Sequence, residues 1–317
     1  MAQLSRRDLF AAALAAPAVL RGANNKIDHS RISAITDEIA RSPEDAIKFA
    51  QQYGLKYLEL RDVPGKKSSN YFINIEEAEL KAAAKQFADN GIKISFLNTN
   101  LLKFGLPGTE PVRRTPEAPE AREKRIAREQ ARFDNREKDL MKCIQSAHTL
   151  GCRYLRVFTF SRVAEPESIY PRIAEALNAF AKTAEQEGVM LLVENESSCN
   201  VAKCSELAAM MKLTPSKAVG LNWDADNGQT LKEPVAEGYP LLPKNRIHNV
   251  QIKGRTILDF PQKLDWPWIF DQLAKDGFKD EIGLETHIFG EEQVQRSHDS
   301  MRAILKIVDP QFVPRTT

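Results

Sequence analysis

The 317-residue sequence predicts a single (β/α)8 TIM barrel of the α/β class, and three observations carry that prediction. Short apolar runs at 31–36, 57–60, 92–97, 154–158, 189–193, 219–223, 247–252 and 281–284 alternate with helical segments. Runs this short and unpunctuated read as buried parallel strands, and their alternation with helices reads as βα repeats. A helix–glycine–strand boundary recurs at Gly54, Gly91, Gly151, Gly188 and Gly277. Glycine there supplies the left-handed residue that releases a chain from a helix. Finally, the last four strands each end in an acid or amide, at Glu194, Asp224, Gln251 and Glu285. That is the end where such barrels build active sites. The alternative is an open doubly wound sheet. Against it, Thr36-Asp37-Glu38 stands after the first run, where a glycine-rich phosphate loop is expected.

The elements follow in order. Ser5-Arg6-Arg7-Asp8-Leu9-Phe10 precedes an alanine-rich apolar run over 10–20. A charged stretch before so short an apolar run reads as a secretory signal, too short to span a bilayer. The paired arginines resemble the twin-arginine type, with Gly22 and Ala23 as small residues near a cleavage point. Residues 1–23 are therefore expected to be a removable signal. The barrel would be 24–317, periplasmic or secreted, with no stable membrane anchor after cleavage. An uncleaved amphipathic N-terminal helix is the alternative. Arg6, Arg7, Arg21 and Asp8 account for the formal net charge of +2, so the remainder is neutral.

Ser42-Pro43-Glu44-Asp45 opens a helix with an N-cap and a first-turn proline. Asn74 caps another, with Glu76, Glu77 and Glu79 at the positive end of its dipole. An insertion at 101–121, rich in glycine and proline, follows the third strand and so lies on the catalytic face. The charged stretch 121–142 is expected to be one long helix whose arginines serve solubility. Ile173, Ala176, Leu177, Phe180 and Ala184 share one face of a further helix. The four cysteines match no zinc spacing. Cys143 and Cys152 read as buried thiols, and Cys199 and Cys204 are close enough to pair. Trp266 and Trp268 read as packing residues.

Charged residues make up 28% of the chain, and mean hydropathy is −0.41, which fits a soluble globular protein. No basic stripe with interleaved aromatics is present, so nucleic acid is not expected as a partner. An oligomer is compatible with the sequence.

Any one strand-end acid is better read as a salt bridge or a cap for the next helix. Four in succession point to a site. Converging oxygen donors of this kind hold a divalent cation, which can polarise the carbonyl and hydroxyl oxygens of a sugar. Polar groups near the same rim suit a carbohydrate ligand: Asp37, Glu38, Glu59, Arg61, Asn98 and Asn100, with Phe158 and Phe160 offering rings for its CH faces. Lys253 and Arg255 suit a carboxylate or phosphate, or are ordinary surface charge. His287 is either a substrate contact or a loop residue. At period two, His248 faces away from Gln251 and reads as a packing residue.

Leu192-Val193-Glu194-Asn195-Glu196, Leu221-Asn222-Trp223-Asp224-Ala225-Asp226-Asn227, Asn249-Val250-Gln251-Ile252-Lys253 and Gly283-Leu284-Glu285-Thr286 resemble the strand-end motifs of the xylose-isomerase-like barrels. That group includes tagatose/psicose 3-epimerases, hydroxypyruvate isomerase and endonuclease IV. The resemblance spans 30–310 and is sharpest over the second half. It implies a metal-dependent sugar isomerase or epimerase with one divalent cation, Mn2+ first and Mg2+ or Co2+ as alternatives. The ligands it implies are Glu194, Asp224, Gln251 and Glu285, with Glu194 and Glu285 also the proton-transfer pair. Gln251 stands where the family has a ligand histidine, and Asn227 where epimerases have a substrate-binding histidine. Glutamine is a weaker ligand than imidazole for softer metals. Other readings are a lyase acting on a keto-glycoside, a noncatalytic sugar-binding barrel, and phosphodiester hydrolysis, which the five histidines disfavour.

Overall fold

A computed structural model describes residues 26–63 and 71–315; the expected signal at 1–23 lies outside the described residues. Eight strands form one parallel sheet: β1 (Ile32–Ala34), β2 (Tyr57–Leu60), β3 (Lys93–Leu101), β4 (Tyr154–Val157), β5 (Met190–Glu194), β6 (Val219–Asp224), β7 (Ile247–Lys253) and β8 (Ile282–Glu285). Each lies on a predicted run. They pair in the order β1-β8-β7-β6-β5-β4-β3-β2. β1 and β2 meet through the bridge Ile35–Glu59, which nearly closes the barrel.

The helix signals hold at Ser42 but not at Asn74: the helix there is Glu77–Asp89, its cap position is Glu76, and no side chain caps it. Ser42 caps the helix Pro43–Gln52, its side chain accepting from the Asp45 N–H at 3.1 Å. Gly151, at φ 65°, ends Arg136–Leu150 in the left-handed conformation that its missing Cβ permits. Tyr170–Gln186 buries the predicted face of Ile173, Ala176, Leu177, Phe180 and Ala184 against the barrel. Each such large aliphatic or aromatic side chain taken from water contributes about 1.5–3 kcal/mol. Trp266 is buried, and Trp268 packs against the core from a partly buried position. Among the described residues, no helix is long and apolar enough to cross a membrane.

Two further expectations change. The stretch expected as one helix over 121–142 is two, Pro119–Asp134 and Arg136–Leu150, which meet at Asn135. The Asn135 amide folds back to donate to the Ala131 carbonyl at 2.8 Å, competing with continuation of the helix. Nor do all the arginines there serve solubility. Arg125 is buried and paired with Glu110 (2.7 Å), Glu117 (2.9 Å) and Glu129 (2.9 Å). It pins the insertion to the helix that follows. All four cysteines are buried and free, Cys199 and Cys204 included.

Candidate active site

Strand register assembles the site. Glu194 on β5 pairs with Asn222 on β6, Asp224 with Gln251 on β7, and Lys253 with Glu285 on β8. Alternation along each strand then sends Asn222 and Asp224, and Asn249, Gln251 and Lys253, into the lumen. All are buried.

Each expected ligand has protein partners. Asp224 ends β6 and caps the turn Ala225–Gln229: Oδ1 accepts from the N–H groups of Asp226 (2.9 Å) and Asn227 (3.1 Å). Its Oδ2 faces Lys253 Nζ at 3.0 Å. Glu194 Oε2 takes Arg156 Nη1 at 3.1 Å and Asn222 Nδ2 at 2.7 Å. Glu285 Oε1 lies 3.4 Å from Arg61 Nη1. Gln251 donates through Nε2 to Asn98 Oδ1 at 2.8 Å, while its Oε1 is buried with no hydrogen-bond partner.

Below this layer lies a polar floor. Glu59 and Asn98 belong to it, deeper than the mouth positions expected for them. Asn98 Nδ2 donates to Glu59 Oε2 at 2.8 Å, and Ser33 Oγ to Glu59 Oε1 at 3.1 Å. Asn249 Nδ2 donates to Asn222 Oδ1 at 2.9 Å, so the amides run on to Glu194. A Cβ added at Gly283 would lie 1.9 Å from Glu59 Oε1, so this floor requires glycine on β8.

The other predicted residues sort themselves around the rim. Lys253 is the last residue of β7 and is buried, which overturns its reading as surface charge. Asn227 is inward but already used: Oδ1 accepts from Lys253 Nζ at 2.6 Å, and Nδ2 donates to the Asn195 carbonyl at 2.7 Å. Arg255 is half-buried and bonded to Asp226. His287, at φ 50°, is half-buried with Nδ1 unpartnered, and its N–H donates to Glu38 Oε2 at 2.7 Å. Arg61 also pairs with Asp37 and Glu38, both at 2.8 Å. Phe158 and Phe160 are wholly buried and offer no sugar platform. Phe158 instead lies between Lys103 Nζ, 4.3 Å from its ring, and the Arg156 guanidinium, at 4.8 Å. Lys103, from the insertion, reaches Glu196 at 3.1 Å. His248 is remote, bonded to Asp280 and stacked on Tyr154.

The two glutamates titrate in opposite directions. Burial raises Glu194 to about 7, only partly offset by Arg156. Burial also acts on Glu285, but Lys253, Arg156 and Arg61 outweigh it and hold that carboxyl below its ordinary value. Burial raises Asp224 to about 6 and Glu59 to about 7. For Lys253, burial opposes the charge, yet Asp224, Glu285 and Asp226 together keep its pKa above the ordinary value. Such opposed carboxyls mark an acid and a base.

The donor set does not fit the divalent cation that the family resemblance implies. Asp224 has Oδ1 on two backbone N–H groups and Oδ2 beside the Lys253 ammonium at 3.0 Å without a hydrogen bond, and Glu194 and Glu285 each face an arginine. Among the described residues, no three of His, Cys, Asp and Glu are arranged to hold a metal. Gln251 Oε1, Asp224 Oδ2 and, at the rim, His287 Nδ1 are buried without a hydrogen-bond partner, and of these Asp224 Oδ2 faces the Lys253 ammonium. Arg156, Asn222 and Asn249 escaped the strand-end reading because they lie within strands. Polar residues alternating with apolar ones, as in Asn249-Val250-Gln251-Ile252-Lys253, were the signal that marks them.

The family model described as xylose isomerase-like TIM barrel matches residues 47–304. No curated protein matches the sequence. Among solved structures, the chain is similar to an E. coli 3-keto-D-glucoside 4-epimerase at 12% identity and a TM-score of 0.63, covering 86% of this chain and 98% of that one. It is similar to the IOLI protein with a bound zinc atom at 16% identity and 0.63, covering 89% and 99%. An L-ribulose 3-epimerase matches at 19% identity and 0.60, covering 89% and 92%. At these identities the likeness is one of fold.

Proposed function

The chain belongs to the xylose isomerase-like TIM barrel family, and on that premise we propose that it is a sugar isomerase or epimerase-like enzyme moving a proton alpha to a carbonyl. One observation carries the reading: Glu194 and Glu285 are buried at the C-terminal ends of β5 and β8 and are driven apart in pKa by their surroundings. Glu285, kept ionised by Lys253, Arg156 and Arg61, takes the proton from the substrate carbon. Glu194, raised by burial to about 7 and so still partly protonated at neutral pH, returns one. The amide chain from Glu59 to Asn222 fixes the rotamer of Glu194, and His287 Nδ1 and Gln251 Oε1 are open to substrate hydroxyls. Two relatives named for sugar epimerisation support a carbohydrate substrate. Because the donors do not fit a divalent ion, no step passes through one. The proposal includes export by the segment 1–23, tested by the mass of the protein recovered from the periplasm.

A lyase acting on a keto-glycoside is the second reading. It uses the same base, and Glu194 as an acid suits protonation of a departing glycosidic oxygen. Incubation with a panel of keto sugars and keto-glycosides in D2O tests both. Deuterium entering the alpha carbon supports proton transfer, and release of the aglycone selects the lyase. Absence of both exchange and aglycone release with every member of the panel counts against both.

A further inference from the structure

We propose that Lys253 is the electrophile of this site and that the centre works without a divalent cation, its positive charge being built into the chain. An ammonium has three N–H groups and no acceptor. Lys253 Nζ donates to Asn227 Oδ1 at 2.6 Å and lies 3.0 Å from Asp224 Oδ2. The next carboxylate oxygen, on Asp226, is 3.9 Å away and already bonded to Arg255. The third N–H is therefore left for a substrate oxygen.

Position supports this. Lys253 shares its strand with Gln251, two residues below, and pairs in register with Glu285 on β8. It stands in the same layer as the proposed base, with its charge on Asp224, the acid that an ion would need. Asn227 and Gln251, where the family resemblance implies histidines, turn their amides to Lys253 and Asn98. Arg156 and Arg61 face the other two carboxylates. All three acids thus have resident cations, and an incoming ion would have to displace the lysine. Like an oxyanion-hole donor, Lys253 would hold the carbonyl oxygen as it becomes an enediolate oxygen. That role rests on the proton-transfer reading above; the exclusion of metal does not.

Two measurements separate these parts. Chelator-treated full-length protein is titrated with Mn2+ alone and followed by electron paramagnetic resonance and calorimetry. We expect no stoichiometric uptake, and uptake in the double variant Lys253→Ala, Gln251→His, in which the cation is gone and an imidazole stands at 251. One bound Mn2+ per wild-type chain, lost in Asp224→Asn, overturns the inference whatever the double variant does. With a substrate from the D2O panel, chelator-treated wild type should retain its exchange. Lys253→Met, with Lys253→Gln as a second variant should the first misfold, should lose about 10²–10³-fold in kcat, and added Mn2+ should not restore it. Exchange that requires Mn2+ overturns the inference and leaves the proton-transfer reading standing. Absence of exchange with no Mn2+ uptake sinks that reading and leaves the metal-free centre standing.

Discussion

At the scale of the residue, the division of labour between Glu194 and Glu285 makes the sharpest demands. Glu194→Gln and Glu285→Gln should each lower turnover by about 10²–10⁴-fold, the usual range for a positioned acid or base, with circular dichroism unchanged. Near-normal turnover in either would remove that residue from the mechanism. The pH profile follows from the directions of the two shifts. Glu285, held below its ordinary value, must be ionised, so kcat/KM rises on the acid side. Glu194, raised to about 7, must be protonated, so kcat/KM falls above that. A profile flat through neutrality would assign the acid to another group. The strand-end carboxylates were legible in the sequence because four strands in succession end in an acid or amide, which separate salt bridges or caps do not explain. Their partners were not. Arg156 lies inside the run Tyr154-Leu155-Arg156-Val157, where its hydrogen bonds go to Glu194 and the carbonyls of Asn98 and Thr99, all distant in sequence. Lys253 read equally as an anion contact or as surface charge for the same reason: the partners that bury it, Asp224 and Asn227, come from another strand and the turn after it.

At the scale of the element, the strands were the most legible part. Apolar runs, five of them preceded by a helix-ending glycine, located all eight, because parallel strands buried on both faces read as short unbroken apolar stretches. The insertion was less so. Its glycines and prolines announced a loop, but not that Arg125 would close it by gathering three glutamates. Arg125→Leu should therefore act on this element first. Three carboxylates lose their common cation at a cost of about 1–3 kcal/mol, less than a fully buried pair because Glu110 is half exposed and keeps Arg122. Limited proteolysis should cut within 102–118 faster in the variant than in wild type. An equal rate would mean that Phe104 packing on Phe160 suffices to hold the loop. Loosening it should also reach the site, since Lys103 carries the insertion to Glu196 and Phe158.

At the scale of the whole molecule, the polar lumen sets how stability responds to pH. Glu38, Glu59 and Glu194 are each raised to about 7 and Asp224 to about 6, burial being the first cause in all four. An acid with a raised folded pKa holds its proton more tightly in the native state, so its contribution is present at low pH and lost as pH rises through the folded value. His287 and His298, lowered by burial, work in the opposite direction near neutrality, but they are two groups against four. Below the ordinary carboxyl range, Glu285 and Glu196 take over. Glu196 is lowered to about 2 because Lys103 and Lys253 outweigh its burial, and protonating these two acids removes stability. The melting temperature should therefore peak in mildly acidic buffer, near about pH 5, and decline towards about pH 8. Calorimetry across that range checks it, and a melting temperature that climbs towards pH 8 would contradict the assigned directions. Glu59→Gln identifies the source. It keeps the size of the side chain and a hydrogen-bonding amide among Ser33, Asn98 and Gln251 but cannot ionise, so the decline should become shallower. An unchanged slope in that variant would move the effect away from the floor of the barrel and onto Glu38, Glu194 and Asp224 at its mouth.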